Sequence, residues 1–279
     1  MKFTFHVPTQ QYGYLEIAGE EADLPEMEAK YNQYAESPVA FKSGQVASQS
    51  LKTLTSLSGS TVQFDEANHV YYKDGKTLLS GSAFADRYTP KFNKDAILPK
   101  FAAKHGVEAS EIAEMWTMKG DVAKNFGTSL HTALEFYGKH KKTIDATQGT
   151  FEVHPSLNEA VKSFFVSREN ETALYEPFVH FGDYCGFIDR LVVTGDKRGI
   201  IEDYKTNQDL HKGSGKMLAP YDKMPNEPLS TYQLQLSFYA HVMSKMGWTI
   251  EGLRIQHYKD KWETIELKVI DLGGVLNGR

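Results

Sequence analysis

A single cysteine, Cys185, in 279 residues leaves no intramolecular disulfide, no four-cysteine zinc site and no cysteine-ligated iron–sulfur cluster. A reducing compartment is the simple reading. Long hydrophobic runs are missing too, since no stretch approaches the roughly 20 apolar residues that a bilayer crossing needs. The first residues, Met1-Lys2-Phe3-Thr4-Phe5-His6, alternate apolar with polar and lack the apolar segment of a secretory signal. A soluble, cytoplasmic protein with no membrane contact is expected. Positive charge is in deficit: 31 Lys and Arg stand against 36 Asp and Glu, a formal charge of −5. That excludes a chain coated with phosphate-binding side chains, but not an enzyme with a local basic groove. With 41% hydrophobic and 24% charged residues, the composition is that of a globular protein with a substantial core.

The first sixty residues read as a separate appendage. Runs at 2–7 and 12–18 predict a β-hairpin, and 24–36 predicts an acidic helix with Pro25 in its first turn. A Ser/Thr-rich stretch at 48–61 reads as a linker. Residues 1–60 hold four basic and seven acidic side chains, which suits contact with a protein partner better than contact with phosphate. The remainder, 61–279, is expected to be α+β. Its first strands, at 62–64 and 70–73, precede helical patterning at 109–118, 121–137, 156–167 and 231–246. Between the last two helices lie strand candidates at 174–181, 185–193 and 200–205, and a closing hairpin spans 250–258 and 262–269.

The chemically informative stretch is Gly186-Phe187-Ile188-Asp189-Arg190, a tight turn, and then Glu202-Asp203-Tyr204-Lys205-Thr206. Two strands joined by that turn bring Asp189 and Asp203 within a few ångströms across the pair. Facing carboxylates on apolar strands repel unless a cation lies between them, which suggests Mg²⁺ or Mn²⁺. Strand periodicity puts Lys205 on the face of Asp203 and turns Glu202 and Tyr204 away. The Tyr204 carbonyl is a further candidate oxygen ligand. Upstream, His131 and Glu135 share a helix face at i, i+4. Downstream, Gln235 and Tyr239 do the same, offering an amide and a phenol to phosphate oxygens. An Asp-x-Lys alone is usually a solvated strand face, and a lone helical His is usually structural.

In order, Gly127-Thr-x-x-His131, Gly186-x-x-Asp189-Arg190, Asp203-Tyr-Lys205-Thr206 and Gln235-Leu-x-x-Tyr239 resemble the RecB-type branch of the PD-(D/E)xK nuclease superfamily, over roughly residues 62–270. The resemblance implies an α/β/α restriction-endonuclease-like core with a central mixed sheet flanked by helices. It implies Asp189 and Asp203 as metal ligands, His131 as a further ligand or orienting group, and Lys205 as the catalytic lysine, with Gln235 and Tyr239 beside the scissile strand. Glu176 stands where some relatives place another acid, and Glu135 is a weaker candidate. Phage and mitochondrial exonucleases of this branch share a short β-meander and a Trp-bearing helix, here Glu114-Met115-Trp116, ahead of the Gly-Thr-x-x-His motif. The branch with an iron–sulfur cluster is excluded by the lone cysteine.

The function so implied is a nuclease, and specifically an exonuclease, that cleaves single- or double-stranded DNA ends with one or two Mg²⁺ or Mn²⁺ ions and a metal-activated water. The setting would be recombination, repair or phage DNA metabolism, in a bacterial or phage-infected cell. Lys91, Lys94, Lys212, Lys216 and Arg190 are candidate DNA contacts, and Phe92, Trp116 and Tyr221 are aromatics able to stack on bases. The alternative is a subunit that keeps the nuclease fold but only binds nucleic acid or docks a partner through residues 1–60.

Overall fold

The computed structural model describes residues 2–9, 13–20, 51–147 and 154–276. Two compact units divide the chain at Met1–Ser50 and Leu51–Arg279. In the first, β1 (Lys2–Thr9) and β2 (Gly13–Glu20) form an antiparallel pair in unbroken register from Lys2↔Glu20 to Thr9↔Gly13. The expected hairpin is therefore present, whereas the expected acidic helix lies outside the described residues.

The linker reading fails from residue 52 onward, because Lys52–Thr55 is a strand, β3, of the second unit. Its β-branched threonines pair with β4 (Thr61–Asp65), which continues into β5 (Val70–Lys73) and β6 (Lys76–Thr77) as a four-stranded meander. The division thus falls at 50/51 rather than 60/61.

A short strand, β7 (Leu79–Ser80), leads into α1 (Gly81–Asp86), capped by the Ser80 hydroxyl, and then α2 (Lys94–His105), capped by the Asn93 side chain. Where two helices were expected there is one, α3 (Ala109–Ala146), of 38 residues. At 1.5 Å per residue it runs about 57 Å. Its glycines each cost about 1 kcal/mol of propensity, too little to break a helix whose later turns bury Leu130, Ala133 and Leu134 against Phe164 and Phe165. Those phenylalanines belong to α4 (Pro155–Val166).

The main sheet follows. Two runs expected as continuous strands are each broken, giving β8 (Ala173–Tyr175) and β9 (Phe178–Phe181), then β10 (Tyr184–Phe187) and β11 (Arg190–Gly195). The breaks sit side by side: Glu176, at φ +47°, donates its N–H to the Asp189 carbonyl at 3.0 Å. Beyond them the strands part company. β9 and β10 join β7 in a three-stranded sheet, while β8 and β11 join β12 (Arg198–Lys205), β13 (Thr249–Tyr258) and β14 (Trp262–Leu267) in a five-stranded one. Only β12 and β13 in that five-stranded order run parallel.

Helices cover both faces of this mixed sheet. α5 (Pro228–Lys245) and α1 pack on Leu191, Ile201, Leu253 and Ile255, while α3 and α4 pack on Tyr204 and Trp262. α6 (Gly273–Leu276) closes the first core through Leu276. The α+β class is as expected, with helices flanking a mixed sheet.

Beneath α4 lies a buried polar ladder. Arg190 is 0% exposed and donates to Glu202 Oε2 at 2.6 Å and to Glu171 Oε2 at 2.7 Å. Gln256 donates to the other Glu202 oxygen at 2.8 Å, and Arg168 bonds Gln256 in turn. This corrects the expectation that Arg190 touches DNA, because its guanidinium is consumed inside the fold. Stripping one partner from a buried pair leaves an uncompensated charge, typically a loss of about 3–5 kcal/mol. Arg190→Ala is expected to lose stability on that scale in urea unfolding, whereas Arg198→Ala, on the exposed rim, is expected to change little.

Candidate functional site

The β11–β12 ladder pairs Arg190 with Glu202, so extending it by one residue puts Asp189 opposite Asp203. Asp189 does not continue the ladder. Its Oδ2 instead accepts the Tyr204 N–H at 2.9 Å, and a strand residue projects its N–H and C=O to the same side. The Tyr204 carbonyl therefore faces the side on which Asp189 sits. Alternation along β12 turns Glu202 and the Tyr204 ring toward α4, and Asp203 and Lys205 toward α5, as expected.

Lys205 Nζ lies 2.5 Å from Asp203 Oδ2 and donates to it, a charge-assisted contact inside the fold. Burial, opposed by the Lys205 ammonium and reinforced by Asp189, pushes the Asp203 carboxyl up to about 6. Burial pulls Lys205 down, but Asp203 and Asp189 outweigh it and hold the ammonium above its ordinary value. The same ammonium rests 4.6 Å above the Tyr232 ring. Tyr232 in turn donates its hydroxyl to Asn207 Oδ1 at 2.9 Å, and His257 Nε2 donates to the Asn207 carbonyl at 2.7 Å.

α3 brings the third side. His131 Nδ1 lies 3.4 Å from Asp189 Oδ2, and its ring meets Tyr204 edge-on. One turn later Glu135 pairs with Lys139 and shares a hydrogen bond with the Glu176 carboxyl. Burial first, and Glu135 second, push Glu176 up to about 7. The residues expected upstream and on the strands therefore come together: His131, Glu135, Glu176, Asp189, Asp203 and Lys205. A cleft of about 620 Å³ opens at His131, Glu176 and Lys205, lined also by Lys124, Thr128 and Tyr232 among others, with Asp189 and Asp203 behind its wall. Gly127 allows α3 to approach, since a Cβ there would sit 3.1 Å from Thr206 Oγ1.

Gln235 and Tyr239 lie on α5, with the Tyr239 phenol close enough to Asp203 and Asp189 to feel their charge. Neither is among the residues lining this cleft. Gln235 is half-buried on α5. Tyr239 is buried with its ring wedged against Gly81 and Gly186; a Cβ on either glycine would come within 2.7 Å of the ring. The Gly186-x-x-Asp189 spacing thus has a packing origin: Gly186 admits Tyr239, and Tyr239 seats α5 behind Asp189. Lys94, Lys212 and Lys216 are exposed, Lys91 is engaged by Asp86, and Tyr221 is buried, which removes it as a stacking surface. Lys124, Thr128, Asn207 and Tyr232 were not expected at the site; only the i−3 and i−7 positions relative to His131 pointed to Thr128 and Lys124.

A hard cation fits the residues present. Two facing carboxylates, with one lysine between them to offset their charge, lie beside a strand carbonyl and an imidazole. Among the described residues no three His, Cys, Asp or Glu side chains form a ready-made cage. Mg²⁺ is ordinarily held by one or two carboxylates, with water and substrate phosphate completing its shell. Set against models of protein families, curated proteins and solved structures, the chain has no match.

A carboxyl raised in the folded state stabilises fully below its unfolded value, near 4.5, and that stability is lost as pH rises through about 7. In EDTA, Glu176→Gln is therefore expected to melt with wild type at pH 5 and above it at pH 8. Equal melting temperatures throughout would show that Glu176 carries no burden of burial.

Proposed function

We propose that the protein is a divalent-metal-dependent DNA nuclease that hydrolyses phosphodiester bonds, acting as an exonuclease. The observation that carries this reading is Asp189 opposite Asp203, with Lys205 on the same strand face and His131 reaching in from α3 above an open cleft. Asp189, Asp203, the Tyr204 carbonyl and His131 would hold Mg²⁺ or Mn²⁺, as one ion or two. When bound, such a cation lowers the pKa of water and neutralises charge on a phosphate.

The chain's own groups supply the rest. The Lys205 ammonium is held charged by Asp203 and Asp189 and fixed in place by the Tyr232 ring. It can donate to a phosphate oxygen as negative charge develops there, without reorganising. Thr128 and Asn207 add a hydroxyl and an amide to the cleft wall. The Glu176 carboxyl, near neutrality and hydrogen-bonded to Glu135, can give or take a proton at physiological pH.

Removing a fixed donor from a site of this kind typically costs about 10²–10³-fold in rate. Asp203→Asn and Lys205→Met keep side-chain volume while removing charge, and each is expected to reduce release of end label from single- and double-stranded DNA in Mg²⁺ by at least that much. Product ladders from substrates labelled at either end then give polarity. Undiminished activity in the variants, or no cleavage by wild type in Mg²⁺ or Mn²⁺, would overturn the proposal in favour of a binding subunit.

A further inference from the structure

α3 has two halves of different character. From Leu130 onward it is anchored in the core, but between Ile112 and Leu130 every side chain is at least partly exposed. The exposed half, α2 and the loop before it nevertheless carry large apolar side chains: Phe92 is 67% exposed, Met118 and Val122 64%, Met115 47% and Ile97 40%. Exposed apolar surface of this extent marks a contact with something outside the core.

Three features say what that contact is. The first is a cluster of rings: Trp116 lies 6.1 Å from Phe92 and 5.5 Å from Phe101, and Phe101 lies 4.5 Å from His105. The second is position: α3 carries a groove of about 490 Å³ lined by Ala113, Thr117, Met118, Val122 and Asn125, and Lys124, Thr128 and His131 further along the same helix line the cleft. The third is charge. Lys94, Lys100, Lys104, Lys119 and Lys124 are exposed on this hairpin, interleaved with Glu111, Glu114 and Asp121. A duplex offers phosphates outward and hides its base faces, so it favours a strongly basic tract. A nearly balanced surface rich in exposed rings suits unpaired bases, with a few lysines tracking the backbone.

We propose that the α2–α3 hairpin is a stacking platform for single-stranded DNA that feeds a strand into the cleft. The proposal rests on the nuclease reading and adds the form of substrate to it. From Trp116 to Gly127 is eleven residues, about 16 Å of helix, or about five nucleotides at ~3.4 Å each. A strand stacked on the rings would therefore reach the carboxylates with its backbone still attached to the platform.

The test uses the full chain in EDTA with fluorescein-labelled oligothymidylate and a blunt duplex of equal length, followed by anisotropy. Wild type is expected to bind the single strand more tightly than the duplex. Phe92→Ala is expected to weaken single-strand binding about tenfold, in line with loss of one stacked base, with an unchanged salt slope and an unchanged melting temperature. Lys100→Ala is expected to lower the salt slope by about 0.7 instead. In Mg²⁺, Phe92→Ala should raise KM for single-stranded DNA and leave kcat intact. Ring-dependent binding without cleavage by wild type would support the platform and refute the nuclease reading. Cleavage with wild-type affinity in Phe92→Ala, or a duplex preference in wild type, would overturn the platform. So would self-association in sedimentation that Met118→Ser abolishes while DNA binding persists, because the patch would then join two copies of the chain.

Discussion

The register of β11 on β12 is the constraint on which the rest depends. Pairing Arg190 with Glu202 sends two adjacent acids to opposite faces. Glu202 enters a buried ion pair, and Asp203 meets Asp189 and Lys205. A slip of one residue would exchange them, stranding Arg190 without its carboxylate and turning Asp203 toward the aromatic cluster under α4. The guanidinium locked beneath α4 thus holds the carboxylate pair in place on the far side of the same strands. Asp189 reinforces this by taking the Tyr204 N–H itself, which stops the ladder where the site begins.

The two faces differ in how their charges balance. On the α4 side Glu202 receives Arg190 and Gln256, with Arg254 at 3.5 Å, so desolvation is offset by direct partners. On the α5 side two carboxylates share one ammonium, the Lys205 Nζ that lies against Asp203, while Asp189 also takes the Tyr204 N–H. Two acids against one fixed cation leave net negative charge between them, which is where the proposed chemistry would place a metal ion.

Alternation and turn chemistry made much of this legible. The Asp189 and Asp203 pairing, the common face of Asp203 and Lys205, the outward turn of Glu202, and the shared face of His131 and Glu135 follow from periods of two and 3.6, whereas the approach of that face to the carboxylates was implied only by the resemblance. What escaped prediction depends on long-range packing. Glu176 and Asp189 lie at adjacent breaks where two strands pass from one sheet to another, and no local pattern distinguishes a bent strand from a straight one. The break expected between 118 and 121, at Gly120, is overridden by the core contacts of Leu130 and Leu134. Tyr232 and Asn207 reach the site through His257 on a strand fifty residues away in sequence. Tyr239 matched a motif, and its ring also fills the space left by the two glycines it packs against.

Formal charge says little about local surface chemistry here, and the fold explains why. Acids that lower the sum to −5 are spent in places that have nothing to do with surface potential: Glu202 and Glu171 on Arg190, Asp65 on the Asn68 turn, Asp203 and Asp189 around Lys205. Lysines that could meet a strand are instead carried outward by one long helix and its neighbour, alongside exposed rings. One helix joins the two regions: α3 is anchored from Leu130 onward, where it sets His131 against Asp189, and between Ile112 and Leu130 it carries Trp116 against Phe92 and Phe101 and leaves Met118 exposed. Any shift of α3 along its axis would displace both halves together.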